Sequence, residues 1–362
     1  MERHITLPVH KVNHSTPSSH RLWVIVPLLS AICLLFFLQG HKENKPNNHE
    51  PSPGTPEPRT GDEIVAAGQF FHTGTRVVLW TDPDGYDAYR IFPRFTGVPN
   101  DPPKLYTGIH YDVRNHDMTP EEFAAVHSGN WTFPMLQQVV DQFVIHFDVA
   151  GTSRHCFHTL QDVRGLSVQF MLDVDGTIYQ TLDLKERAWQ ATIANSRSVG
   201  IEIANVGAYE ADGTNPFDAW YQETNGQTVL TIPDAFGAGG ILTSNFIGHP
   251  SRPQPIEGNI QGKDLIQYDF TPEQYQALIK LTAALCKIFP KIQCRYPTND
   301  SGQLITSKLP DDVLTNYEGI LGHYHVQTDK VDPGPAFQWD LVVDGARKIL
   351  AEETNGAESL NR

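Results

Sequence analysis

Residues 166–204 read LSVQFMLDVDGTIYQTLDLKERAWQATIANSRSVGIEIA. Two apolar stretches, Leu166 to Leu172 and Thr177 to Thr181, flank Asp175-Gly176, a pair that accepts the positive φ angles of a tight hairpin turn. Further on, Val199 to Ala204 reads as another strand. Alternation there puts Val199, Ile201 and Ile203 on one face and Gly200, Glu202 and Ala204 on the other. Upstream, Phe143 to His146 is a short buried strand. Helices with explicit start signals lie around these strands. Thr119-Pro-Glu-Glu and Thr271-Pro-Glu-Gln each join an N-cap threonine to proline at the first helical position and Glu or Gln at the third. The second opens an amphipathic helix running to about Phe289, where Pro290 stops it, and a last helix is expected from about Ala336 to Leu350. Strands interleaved with helices predict an α/β fold, a single mixed β-sheet flanked by helices. Residues 210–262 are rich in Gly, Pro and Asn and predict a long loop insertion.

Working outward, the 362 residues suffice for one large domain or two ordinary ones. A net charge of -15 with no basic stripe excludes a nucleic-acid backbone as partner. Residues 22–38, LWVIVPLLSAICLLFFL, carry no charge and predict a transmembrane anchor behind a cytoplasmic segment, 1–21, that holds Arg3, Lys11 and Arg21. A cleaved signal segment, giving a secreted protein, is the alternative. Either one exports the rest of the chain: a Pro-rich tether at 39–61, a catalytic domain at 62–352 and a short tail at 353–362. The expected location is therefore extracytoplasmic, in the cell envelope. Of four cysteines, Cys33 lies in the apolar segment, while Cys286 and Cys294 are close enough in sequence to bridge in an oxidising compartment.

The chemistry concentrates in residues 322–339, GHYHVQTDKVDPGPAFQW. A catalytic zinc site takes three protein ligands and leaves one position open. His146 at a strand end, His323 after a glycine and Asp332 before a tight turn offer two nitrogens and one oxygen. Taken singly, such a histidine is ordinarily a satisfied core residue and such an aspartate a turn former; their clustering beside buried segments favours a zinc site. His325 competes with His323, because alternate residues of a strand face opposite ways and only one of the two meets the metal. Glu202, flanked by small neighbours, is placed as general base toward the water, against the plainer reading of a solvated edge-strand face. Lys330 is a candidate to stabilise an oxyanion, against that of an ordinary surface lysine. His155, His158 and His249 sit in polar, loop-like contexts and are not expected to be ligands.

VIHFD around His146, VQFMLDVDGTIYQ, ERAWQA, NSRSVGIEIAN and GHYHVQTDKVDPGPAFQW occur in this order. The chain resembles the zinc-dependent N-acetylmuramoyl-L-alanine amidases, which share their fold with peptidoglycan recognition proteins and phage T7 lysozyme. The resemblance covers about residues 120–350, and its most specific element is the K-x-D-P-G-P-A-F run. It implies hydrolysis of the amide between N-acetylmuramic acid and L-alanine of the stem peptide, in peptidoglycan or released muropeptides. It also implies His146, His323 and Asp332 as zinc ligands, Glu202 as the catalytic acidic residue and Lys330 as the lysine beside the third ligand. Three departures stand out. The gap from His323 to Lys330 is one residue shorter than in some relatives, which keeps a register with His325 open. Val168 stands where part of the family has tyrosine, so the glutamate-bearing mechanism is the one implied. Gln190 replaces the histidine that often follows the tryptophan, here Trp189. A peptidoglycan receptor that keeps zinc but turns over poorly, and a zinc peptidase acting on the stem peptide, are the competing functions.

Overall fold

The computed structural model describes residues 58–360, with side chains as far as Glu353. Six strands form its central sheet: β1 (Val77–Leu79), β2 (Gln142–Phe147), β3 (Phe170–Leu172), β4 (Ile178–Gln180), β5 (Ser198–Ile203) and β6 (Gly319–Gly322). Their spatial order is β6-β2-β5-β3-β4-β1. All neighbours run parallel except β3 and β4, the hairpin closed at Asp175-Gly176 with Gly176 at φ +80°. The sheet is mixed, as expected. The expected anchor at 22–38, the segment before it and the tether through residue 57 lie outside the described residues. Among the described residues no helix is long and apolar enough to cross a membrane.

Alternation along the strands separates two faces. Phe143, Ile145 and Phe147 of β2 join Val199, Ile201 and Ile203 of β5 in the main core, packed on Leu278, Leu281 and Leu285 of the Pro272–Ile288 helix and Val342 and Val343 of the Trp339–Leu360 helix. The first of these helices starts where the sequence signals it. Thr271 accepts the Gln274 N–H at 3.1 Å and the Gln274 side chain accepts the Thr271 N–H at 2.9 Å, a complete capping box. The Thr119 cap of the Pro120–His127 helix has the same form.

On the other face the apolar packing is split. One cluster holds Val144 of β2 with Leu309, Leu321 and Val326, and another holds Met171 and Tyr179 with Cys156 and Phe157. His146 and Glu202 lie on this face, in the row between them. Cys156, Cys286 and Cys294 carry free thiols.

Two expectations need correction. The last helix runs over Trp339–Leu360, starting later and ending later than expected. Residues 333–338 stay outside it because the Ala336 N–H is drawn to Gln267 Oε1 and the Gln338 N–H to the Tyr275 hydroxyl; Ala351–Glu353 then supply good helix formers that carry it past Leu350. The 210–262 stretch is not a loop. It contains the hairpin Tyr221–Thr224/Gln227–Leu230 and most of a second, Ile256–Ile260/Lys263–Gln267, that pairs with Tyr209–Glu210. Both turn on two residues with positive φ: Asn225 (+53°) and Gly226 (+77°) in the first, Gln261 (+57°) and Gly262 (+76°) in the second.

Thr271→Ala removes the acceptor for the Gln274 N–H and the donor to the Val174 carbonyl. The expected loss is about 1–2 kcal/mol, seen as a lower urea midpoint with an unchanged m-value.

Candidate metal centre and catalytic groove

The register of the parallel strands assembles the site. His146 of β2 pairs with Glu202 of β5, and Glu202 in turn with Met171 of β3, so the first two side chains stand next to each other on one face. On the other side of β2, strand β6 ends at Gly322 and the chain turns at once into the one-turn helix His323–Val326. Only glycine fits at 322: a Cβ there would sit 2.7 Å from Pro333 Cδ and 3.0 Å from the Tyr324 ring. The close approach brings the Asp332–Pro333 segment back onto the end of β2.

Three buried donors converge as a result. His146 Nδ1 lies 3.0 Å from His323 Nδ1 and 2.8 Å from Asp332 Oδ2, and His323 Nδ1 is 3.0 Å from the same oxygen. Burial raises the cost of charge on Asp332, but the two imidazoles outweigh it and hold the carboxyl well below the usual range. Burial, and then His323, push His146 down, which keeps its ring neutral and its lone pair available. These three atoms are an arrangement able to hold a metal ion. The other nitrogen of each ring faces a glutamine: His146 Nε2 lies 2.5 Å from Gln190 Oε1, and His323 Nε2 2.8 Å from Gln327 Oε1.

His325 is elsewhere. The expected strand alternation does not apply, because residues 323–326 are helical, and two residues along a helix differ by about 200° in direction. His325 is fully buried on the far side of that turn, accepting the Gly322 N–H at Nδ1 (2.9 Å) and donating from Nε2 to the Ile305 carbonyl (2.7 Å). Burial lowers its pKa to about 3, so it is a neutral structural residue. His158 sits between Asp101 and Asp162, His249 faces the Thr228 carbonyl, and His155 packs on Phe236; none of them joins the cluster.

Glu202 is in mid-sheet, not on an edge. Its Oε2 is buried without a hydrogen-bond partner, and its carboxyl is pushed well above the ordinary range by burial, then by the neighbouring Asp332 and Asp148 charges. Lys330 is half-buried, its Nζ 3.3 Å from the Asp329 carboxylate. Both line the same groove of about 350 Å³ as His146, His323 and Asp332, with Trp189 and Arg164 along its walls.

Sequence reading passed over two groups. Asp148, two residues beyond His146, also lines the groove; its Oδ1 accepts N–H groups from Ala150, Gly151 and Asn205 while Oδ2 is unpartnered. The VIHFD stretch carried the only signal for it, a carboxylate closing a buried strand. The second is an outer grouping of Asp62, Glu63 and His72, whose carboxylates are already taken up by Thr60, the Gly61 and Gly74 amides and His72.

A family model described as N-acetylmuramoyl-L-alanine amidase matches residues 136–335. Among solved structures, a selenomethionine derivative of AmpD is 17% identical, over 70% of this chain and 98% of that one, with a TM-score of 0.29. The E. coli amidase AmiD, in complex with anhydro-N-acetylmuramic acid-L-Ala-D-γ-Glu-L-Lys, is 18% identical over 57% of each chain, with a TM-score of 0.31. The endolysin amidase LysCS from Clostridium intestinale is 14% identical over 59% of this chain and 86% of that one, with a TM-score of 0.27. At such TM-scores these likenesses carry no weight beside the family match. No curated protein matches the chain significantly.

His323→Ala is expected to lose bound divalent metal by elemental analysis. His325→Ala is expected to retain it but to melt lower by about 1–3 kcal/mol, the cost of stranding the buried Gly322 N–H and Ile305 carbonyl. Metal lost equally from both variants would contradict the geometry.

Proposed function

The chain belongs to the N-acetylmuramoyl-L-alanine amidase family, and on that premise we propose that His146, His323 and Asp332 hold a zinc ion beside which Glu202 and Lys330 carry out the cleavage. The enzyme hydrolyses the amide between N-acetylmuramic acid and L-alanine of the peptidoglycan stem peptide. The observation that carries the mechanism is the meeting, in one groove, of three convergent buried donors and the unpartnered carboxylate oxygen of Glu202.

The donor set fits zinc. Two neutral imidazoles and a carboxylate suit a borderline cation. Ligand atoms about 2.0–2.1 Å from a tetrahedral zinc ion are about 3.3–3.4 Å apart, so the cluster need open by only a few tenths of an ångström. Zinc bound there supplies Lewis acidity toward the scissile carbonyl and toward water.

The residues do the rest. Glu202 Oε2 takes a proton from the attacking water as the new C–O bond forms. It returns that proton to the alanine nitrogen as the C–N bond breaks, so the carboxylate is regenerated. The absence of a competing hydrogen bond leaves Oε2 free for both proton transfers. The Lys330 ammonium, on the same groove wall, stabilises the charge that develops on the carbonyl oxygen. Zinc, these roles and a peptidoglycan or muropeptide substrate form one reading. Its location follows from the uncharged segment at 22–38, which anchors the domain outside the cytoplasm, or releases it if cleaved.

Zinc-loaded full-length protein given cell-wall sacculi is expected to release stem peptides with a free L-alanine amino group, identified by mass spectrometry. Cleavage between amino acids, or none, would overturn the assignment. Glu202→Gln is expected to keep its zinc and to lose about 100-fold or more in kcat. Lys330→Met should lower kcat about 100-fold with little effect on zinc content. Near-normal turnover in either variant removes that residue from the mechanism.

A further inference from the structure

Behind each of the two imidazoles stands a glutamine, and we infer that Gln190 and Gln327 are positioning residues that fix the tautomer and aim of His146 and His323. This rests on those histidines being metal ligands. The orientation of the Gln327 amide follows from its other partner. The Gln327 NH2 faces Asp329 Oδ1 at 3.4 Å, and a carboxylate only accepts, so the amide oxygen is the atom 2.8 Å from His323 Nε2. The Gln190 NH2 donates to Ser198 Oγ at 2.8 Å, and its oxygen lies 2.5 Å from His146 Nε2. An oxygen in these places demands a proton on each Nε2. The neutral ring then has its lone pair on Nδ1, the atom turned to Asp332 in both cases.

Both glutamines are themselves held. A Cβ on Gly200 would lie 2.6 Å from Gln190 Cδ and 2.7 Å from its Oε1, so the side chain crosses β5 where glycine leaves room. The Gln190 N–H is tied to Asn195 Oδ1 at 3.1 Å. On the other side, Gln261 at the tip of the second inserted hairpin donates from Nε2 to the Tyr324 and Gln327 carbonyls, both at 2.8 Å. The insertion thus buttresses the turn that carries His323. A neutral amide accepts the ring proton without adding charge, whereas a carboxylate there pushes electron density onto the imidazole.

The test is the zinc dissociation constant of the full chain, measured by chelator competition, with the melting temperature of the metal-free protein alongside. Gln190→Met and Gln327→Met are each expected to weaken zinc binding about 10- to 100-fold while the metal-free melt stays close to the parent's. Gln190→Glu restores an acceptor and is expected to restore tight binding. Gly200→Ala pushes the unmutated Gln190 aside and is expected to weaken zinc as Gln190→Met does, which keeps the question open to test should Gln190→Met not fold. Zinc bound within twofold of the parent by both methionine variants would overturn the inference, as would Gln190→Glu binding no better than Gln190→Met. Failure of the parent chain to bind zinc would instead overturn the ligand reading.

Discussion

Parallel pairing of β2 with β5 places His146 opposite Glu202, and the site depends on that register. A slip of one residue would turn His146 into the core and bring Phe147 or Ile145 to the groove. What prevents the slip is the other face: Phe143, Ile145, Phe147, Val199, Ile201 and Ile203 all pack into one core, and none tolerates water. The apolar half of each strand therefore positions the polar half. Burial on both sides also explains why Glu202 can sit in a strand that otherwise reads as core, with its carboxyl raised and one oxygen unpartnered.

The remaining pieces come from close approach and not from strand geometry. Gly322 lets the chain leave β6, make one helical turn and return under Pro333, and that path delivers both His323 and Asp332 to the end of β2. Gly200 does the equivalent service for Gln190. At these two glycines the missing side chain matters more than backbone freedom.

Much of this was legible in the sequence because the signals are local. A short apolar run marked β2, alternation marked β5, Asp175-Gly176 marked the hairpin, and the Thr271 capping box marked the main helix. The convergence of His146, His323 and Asp332 rested on residue type, cluster and family resemblance. The choice between His323 and His325 was not legible, since it hangs on a single helical turn after a strand. The inserted hairpins were hidden by their composition: strands such as Gln222–Thr224 are exposed and polar, so they carry no apolar alternation, and the turn pair Asn225-Gly226 was the one clue. Gln190 and Gln327 were opaque for another reason. A neutral amide has no charge to betray its partner, and only the folded distances show what it touches.

The three donor atoms are drawn from opposite ends of the folded sequence, His146 and Asp332 being 186 residues apart. An ion that joins them binds where all three meet, in the folded chain, and so favours that form by mass action. It can be withdrawn without breaking a covalent bond. Under the proposed ligand set, metal supply sets the stability of the fold as well as turnover.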